Sequence, residues 1–322
     1  MNSRASRLNQ TKQAKYGVRS QFRTIPNSTG GSTTSKLGSD PIFSVQQTEI
    51  TLRNQPIGVF DSGIGGLSIL KALRAELPHE SFVYIADSGN APYGEKGDDF
   101  VIARSRALTR ALIDQDGHYK VKALVVACNT ATAAAVKLLR AEFPDLPLVG
   151  IEPALKPAVQ LSQTKRIGVM ATRGTLESAK FAALKASLTQ QAEFIIQPCD
   201  GLAAAIETQN TPKIIALLAT YTPAIGIFGT ENGQIDTLVL GCTHYPFISD
   251  LLRIHTGVDV HYIDTGEPVA RQTRRLLEAA GTLNTSAELG DLQLFTTGDL
   301  DSFAKLTKLW LSLPETARIS KI

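Results

Sequence analysis

The sequence predicts an α/β protein of parallel sheets covered by helices on both faces, in two halves that repeat one another. From about Pro56 onward, short apolar runs alternate with segments long enough to be helices, which is the pattern of strands joined through helical crossovers. The same order of elements also occurs twice. IGVF at 57–60 leads into DSGIGGLS, and IGVM at 167–170 leads into ATRGTLES. A cysteine ends a later apolar run in each half: Cys128 lies 71 residues after Ile57, and Cys242 lies 75 after Ile167.

Taken in order, IGVF, FVYIAD, ALVVAC and LPLVGIE read as strands of the first half, with LSILKALRAEL, DDFVIARSRALTRALI and ATAAAVKLLRAEF as helices between them. RIGVMAT, EFIIQPC and TLVLGC read as strands of the second half, with VDVHYID after them. LQLFTTGDLDSFAKLTKLWL adds a strand and a helix that return to the first half, and 282–289 reads as a surface linker. These elements place a first α/β domain over 51–152 plus 245–322 and a second over 153–244. The Gly-rich stretch 221–236 has the composition of a lid or of a tolerated loop.

A length of 322 residues suits two domains of ordinary size, and 43% hydrophobic with 20% charged residues is a soluble globular composition. No apolar run approaches the ~20 residues that span a bilayer, and the N-terminus lacks a secretory apolar core, so a cytoplasmic protein without membrane contact is expected. Three cysteines in such a chain read as free thiols. Without a CxxC pair or a His-rich cluster, no metal site is expected. The net charge of +3 belongs to the N-terminus. Residues 1–40 carry seven Lys or Arg against Asp40, leaving 26 basic and 29 acidic residues beyond them. That stretch, rich in Ser, Thr, Asn and Gln, reads as a disordered basic tail over 1–50. On charge pattern alone a solvated tail is expected in preference to nucleic-acid contact, and its Arg and Ser content resembles a transit peptide without an amphipathic stripe.

The chemistry resides in the paired cysteines. Cys128 in VVACNTATAAA and Cys242 in LVLGCTHYPF each follow a buried-type strand and precede residues suited to a helix start. A helix N-terminus lowers a thiol from its free value of ~8.5 towards thiolate, so two such thiols in one cleft form a matched acid and base. Approaching one substrate from opposite faces, they could invert a carbon centre. Cys199 in IIQPCD has no counterpart in the repeat and reads as a buried structural thiol. DSGIGG lacks both GxGxxG spacing and a P-loop lysine, which argues against a nucleotide-phosphate loop.

FDSGIGG, PYGEK, ACNTATAA, EPALKPA, ATRGT, LGCTHYPF and DTGEPVA, in this order, resemble the bacterial glutamate racemases of the aspartate/glutamate racemase superfamily over 57–311. The resemblance implies two flavodoxin-like three-layer domains related by a pseudo-twofold axis, with the site between them. It implies a cofactor-independent 1,1-proton transfer on glutamate, supplying D-glutamate for peptidoglycan, often in a homodimer. A peptidoglycan-precursor nucleotide acts as activator in some members. The resemblance assigns Cys128 to the proton of the D-isomer and Cys242 to that of the L-isomer, with Asp61 and His244 as their helpers. Glu152 is a third candidate acid. Asp61 as a helix cap, His244 as a packed histidine and Glu152 as a loop carboxylate are the structural alternatives. Ser62, Asn129, Thr130 and Thr243 offer hydroxyl and amide groups to substrate, Tyr93 and Gly94 offer backbone groups, and glycines 63, 65 and 66 let N–H groups approach a carboxylate. Many members carry an arginine just before the PYG turn. Here the stretch is ADSGNAPYG, so arginine support of that loop is expected to be missing. A related aspartate racemase, a one-cysteine decarboxylase and a nucleic-acid- or topoisomerase-binding protein are the rival readings; the second cysteine argues against the last two.

Overall fold

The computed structural model describes residues 52–113, 120–311, 313 and 317–322, so the basic tail lies outside the described residues. In the first half, β1 (Ile57–Asp61), α1 (Leu67–Glu76), β2 (Phe82–Ala86), α2 (Asp98–Ile113), β3 (Ala123–Val126), α3 (Asn129–Glu142), β4 (Leu148–Gly150) and α4 (Leu155–Leu161) follow one another. The second half runs through β5 (Arg166–Ala171), α5 (Arg173–Leu176), α6 (Ala179–Ala186), β6 (Glu193–Pro198), α7 (Leu202–Glu207), α8 (Thr211–Ile225), β7 (Thr237–Leu240), α9 (Ser249–Thr256) and β8 (His261–Ile263). The chain ends with α10 (Gly266–Ala279), β9 (Leu292–Thr296), α11 (Leu300–Trp310) and β10 (Arg318–Lys321). Every residue of β1, β2, β3 and β7 is buried, which is why these strands read as continuous apolar runs.

Two parallel sheets result, in the orders β10-β9-β2-β1-β3-β4 and β6-β5-β7-β8. The run β2-β1-β3-β4 matches β6-β5-β7-β8 strand for strand, the doubly wound order of flavodoxin-like folds, so the repeat in the sequence is a repeat in topology. Helices cover both faces of each sheet. Leu67, Leu70 and Leu73 of α1 and Val269 and Leu277 of α10 pack with Ile57 and Val59, while Leu108 and Leu112 of α2 and Val136 and Leu139 of α3 pack with Phe60 and Val126. In the second sheet, Leu202, Ile206, Leu218 and Leu252 lie with Met170 and Leu240, and Leu155, Val159 and Phe181 lie with Ile167 and Val239.

Three features differ from the sequence reading. β8 pairs with β7, and Leu252 and Val260 enter the second core, so the segment from Tyr245 to Ile263 belongs with the second sheet; the chain returns to the first only at α10. β10 pairs with β9 although RISK carries little apolar signal. The stretch 221–236 is no cover for the cysteines. It begins in α8, folds on itself through Ile235 N–H to Ile227 C=O, and reaches the amino end of β7, whereas both cysteines follow carboxyl ends of strands.

The segment 282–289 is tied down. Asn284 N–H donates to Glu80 Oε1, and the Lys122 ammonium donates to the carbonyls of Arg53 and Thr282 at 2.6 and 2.8 Å. Lys122 and Glu80 form an ion pair at 2.5 Å with both side chains 1% exposed. Burial holds the Lys122 ammonium below its ordinary value even with Glu80 beside it. Removing one partner of a buried pair leaves an uncompensated charge, so Lys122→Met is expected to destabilise by roughly 3–5 kcal/mol in denaturant unfolding, with Lys122→Met/Glu80→Leu recovering most of it. A loss under about 1 kcal/mol in the single variant would show that the pair is not a structural tie.

Candidate active site

In each sheet the crossovers from the first strand and from its neighbour leave towards opposite faces, which opens a crevice beyond the carboxyl ends of β1 and β3 and of β5 and β7. Cys128 and Cys242 follow β3 and β7, one at each crevice. Cys128 is the N-cap of α3, its sulfur accepting from Ala131 N–H at 3.4 Å. Cys242 instead enters a 3-10 turn over Tyr245–Ile248, so only the first thiol sits at an α-helix N-terminus. Gly241 brings β7 against β5: a Cβ there would lie 2.8 Å from Ala171 Cβ and 3.0 Å from Met170 O. The thiols are 6% and 7% exposed.

A polar chain leads away from the first thiol. Cys128 Sγ–H donates to Ser62 Oγ at 3.8 Å, and Ser62 donates to Asp61 Oδ1 at 3.4 Å. Asp61 ends β1 with no exposed surface and also accepts from Gly63 N–H at 2.9 Å and from the Thr243 hydroxyl at 3.1 Å. Burial raises its carboxyl to about 6, against the opposing pull of His244 and of these donors. Burial and the Asp61 charge push the Cys128 thiol up to about 12. The expectation that its helix N-terminus would lower this thiol is therefore corrected: one N–H contact does not offset desolvation beside a carboxylate.

The second thiol has a different partner. Cys242 Sγ lies 3.7 Å from His244 Nδ1, and His244 Nε2 lies 2.7 Å from Glu207 Oε2. Burial alone would lower the His244 value, but its contacts with Cys242 and Glu207, together with their charge, hold it well above 6.5. Glu207, at the end of α7, was not singled out from the sequence. Its carboxylate also accepts from Ile64 N–H at 2.9 and 3.2 Å and from the Ser88 hydroxyl at 2.7 Å. The glycine run serves this packing: a Cβ on Gly63 would lie 2.3 Å from Glu207 Oε2, and one on Gly65 would lie 2.4 Å from His244 Nδ1. Of the three glycines expected to let N–H groups approach a substrate carboxylate, Gly63 donates instead to Asp61, and the neighbouring Ile64 N–H donates to Glu207.

Other residues named from the sequence gather nearby. The side-chain amide of Asn129 is buried, and among the described residues neither its nitrogen nor its oxygen has a hydrogen-bond partner, as expected of a group whose partner is a ligand. Thr130 bonds Thr172 at 3.1 Å, and Thr172 bonds Thr175 at 3.0 Å, which adds two hydroxyls the sequence reading passed over. Gly94 packs against Thr172, and the Tyr93 hydroxyl donates to Asp87 at 2.5 Å. Asp87 also receives Arg104 through two bonds of 2.9 and 2.7 Å, so the PYG loop has arginine support after all, from α2 rather than from the preceding residue. Glu152 is not joined to either thiol: it is exposed and pairs with Lys180 at 3.1 Å. Cys199 is buried, its thiol donating to Gln197 C=O. Among the described residues no His, Cys, Asp and Glu cluster is arranged to hold a metal ion, and no helix is long and apolar enough to cross a membrane.

Comparison with known proteins follows this geometry. The family model described as Asp/Glu/Hydantoin racemase matches residues 67–273. Glutamate racemase of Methylococcus capsulatus is 46% identical over 265 residues, 81% of this chain and 94% of that protein. Glutamate racemase of Pseudomonas syringae pv. tomato is 45% identical over 253 residues, 78% of this chain and 88% of that protein. Among solved structures, glutamate racemase isoform RacE1 from Bacillus anthracis superposes with a TM-score of 0.71 at 29% identity, covering 84% and 98% of the two chains. Escherichia coli glutamate racemase, in complex with L-glutamate and the activator UDP-MurNAc-Ala, gives 0.69 at 27% identity over 83% and 98%.

Because the Asp61 carboxyl is raised, the fold binds its proton more tightly than the unfolded chain does. That contribution to stability is fully present below about pH 4 and is lost as pH rises through about 6. The shift corresponds to about 3 kcal/mol. Asp61→Asn is therefore expected to raise stability at pH 8 by up to that amount, with the gain vanishing near pH 4, while lowering turnover. Thermal unfolding of both forms across this range checks it; a gain independent of pH would assign the effect to packing.

Proposed function

This chain belongs to the Asp/Glu/Hydantoin racemase family and is an isomerase, and we propose that it interconverts L- and D-glutamate by passing the α-proton between Cys128 and Cys242. The observation that carries this reading is that two thiols at equivalent strand ends each have a private route for a proton: Cys128 through Ser62 to Asp61, and Cys242 through His244 to Glu207. A binding module would have no use for such a pair.

The α-proton of an amino acid is weakly acidic, and no electron sink is called for if placement and field lower the barrier. The contacts that favour the charged form of His244 let it balance charge that develops at Cys242, while burial and Asp61 keep Cys128 a thiol. Cys242 takes the α-proton of L-glutamate: the C–H bond breaks and an S–H bond forms. Cys128 then gives its proton to the opposite face of the carbanion, yielding D-glutamate. The reverse direction exchanges the roles, and the proton inventory is reset through the two routes. The Asn129 amide and the hydroxyls of Thr130, Thr172 and Thr175 orient the substrate without competing for the proton. Glutamate as substrate follows the relatives that resemble this chain, and D-glutamate production fits peptidoglycan synthesis. Since the Escherichia coli relative carries its activator in its structure, a higher rate with UDP-MurNAc-L-alanine than without it is expected; equal rates would remove that regulator from the reading.

In deuterium oxide, the purified protein is expected to incorporate deuterium at the α-carbon of L-glutamate as D-glutamate forms. Cys128→Ser and Cys242→Ser are each expected to lower racemisation by about 10³-fold or more, within the range of lost acid–base catalysis. Either variant retaining the parent rate would end the two-thiol mechanism, and exchange into L-aspartate alone would keep the mechanism and change the substrate.

A further inference from the structure

Three residues beyond the thiols, the two halves of the repeat diverge. After Cys128 stands Ala131, whose N–H reaches the sulfur at 3.4 Å. After Cys242 stands Tyr245, whose N–H is taken instead by the Cys242 carbonyl at 3.1 Å as the 3-10 turn begins. The second thiol therefore lacks the backbone donor that a helix start gives the first. A thiolate formed there has His244 Nδ1 at 3.7 Å, and a buried anion is stabilised by each further donor it can collect. The Tyr245 side chain turns into the second core, where it packs in one cluster with Cys199 and Cys242. It is fully buried, and among the described residues no hydrogen bond meets its hydroxyl. A buried phenol normally finds a partner, because leaving it without one costs stability. Burial, and next the charge of Cys242 and of Cys199, hold its proton on well above the ordinary value of 10, so the group is a donor. Neither of its other titratable neighbours competes well for that proton. Burial keeps Cys199 a neutral thiol, a weak acceptor whose own S–H goes to Gln197 C=O at 3.4 Å, and the Tyr221 hydroxyl donates to Asp200 C=O at 2.8 Å.

We propose that Tyr245 is a positioning residue for the half-reaction at Cys242, its hydroxyl donating to that sulfur when the thiolate forms and supplying the hydrogen bond that Ala131 N–H gives Cys128. The hydroxyl has no good acceptor while Cys242 is a thiol and gains a charged one when the proton leaves, so the contact strengthens with the charge rather than before it. Cys199 has a place in this arrangement: as a small, weakly accepting neighbour it fills the space beside the hydroxyl without capturing it. The orphaned hydroxyl costs the fold some stability, which a tyrosine serving packing alone would not. Cys128, with its own N–H donor and its route through Ser62 to Asp61, does not depend on Tyr245.

The inference rests on the two-thiol reading, and its test must separate the two thiols. Racemisation rates cannot do so, since enantiomers are equal in energy and any variant lowers kcat/KM equally in both directions. Elimination from a β-chloro-substituted glutamate can: one thiolate takes the α-proton, the C–H electron pair becomes a C=C bond, and the C–Cl pair leaves as chloride, so each α-configuration needs one base only. The isomer that Cys128→Ser still processes is the one served by Cys242. Tyr245→Phe is expected to lower kcat for that isomer by about 10- to 100-fold, the size of one lost hydrogen bond to a charged group, with KM changed by less than about 3-fold. Elimination from the other isomer is expected to fall by less than about 3-fold, and the midpoint of thermal unfolding to hold or rise, because phenylalanine removes an unsatisfied hydroxyl. Cys199→Ser, which sets a stronger acceptor beside the hydroxyl at nearly the same volume, is expected to slow the Cys242 isomer selectively, whereas Cys199→Ala is not; this pair decides the matter if the phenylalanine variant fails to fold. Equal losses on the two isomers in folded variants, an undiminished rate on the Cys242 isomer, or a loss carried by KM with a lowered unfolding midpoint would overturn the positioning role. Failure of the two-thiol reading looks different: Cys128→Ser would then abolish elimination from both isomers with Tyr245 intact.

Discussion

Two carboxylates, Asp61 and Glu207, are held away from water where the halves of the site meet, and the arrangement around them follows from satisfying their charge. A buried carboxylate without donors costs several kcal/mol, so each must collect N–H and O–H groups. Asp61 takes them from Gly63, Ser62 and Thr243, and Glu207 from Ile64, Ser88 and His244. Both sets include donors from each half. A hydrogen bond to a charged group contributes about 1.5–3 kcal/mol net, much of it offset by the desolvation that makes it necessary. A joint built this way is close to balance between open and closed, unlike an apolar seam, and that suits a cleft whose thiols must be covered and uncovered in every cycle.

The duplicated strand order supplies the geometry but not the chemistry. Cys128 and Cys242 follow equivalent strands, yet the positions beside them have diverged. Counting from IGVF and IGVM, Asp61 and Ser62 correspond to Ala171 and Thr172; counting from the cysteines, Asn129 and Thr130 correspond to Thr243 and His244. One thiol therefore has a hydroxyl and a carboxylate and is driven up to about 12, while the other has an imidazole held towards its charged form and a carboxylate. A symmetric pair would hold both thiols in the same state. In the proposed reaction the divergence lets one begin as acid and the other as base.

What could be read in advance followed from features local in the chain. The buried strands appear as unbroken apolar runs, and Asp61, Cys128, Cys242 and His244 stand at their ends within short polar motifs. Glu207 was invisible for the opposite reason. It is one acid closing a short apolar helix in GLAAAIETQ, and its significance comes from Ile64, Ser88 and His244, which are distant in sequence. Arg104 was missed as support for the PYG loop because α2 brings it back to Asp87. β8 was given to the wrong sheet because its pairing with β7, and the burial of Leu252 and Val260 in the second core, are tertiary contacts that composition does not carry. The direction of the Cys128 shift failed likewise: a helix start is legible in residues, but burial beside Asp61 is not.

The site carries costs that the proposed substrate, glutamate, is shaped to remove. Asn129 has a buried amide with both polar atoms unpartnered among the described residues, Asp61 is ionised against burial, and in the proposed reaction Cys128 must hold charge beside it. An amino acid brings an ammonium and carboxylates, a donor and acceptor set of the kind Asn129 lacks, and its positive charge relieves the repulsion between Asp61 and a thiolate at Cys128. Desolvation makes Cys128 poor at ionising alone and, in the proposed reaction, a strong base once the substrate's own charge is present. The cost of a buried site is thus tied to binding: burial keeps the first thiol protonated, and in the proposed reaction the substrate completes the electrostatics needed to move its own proton.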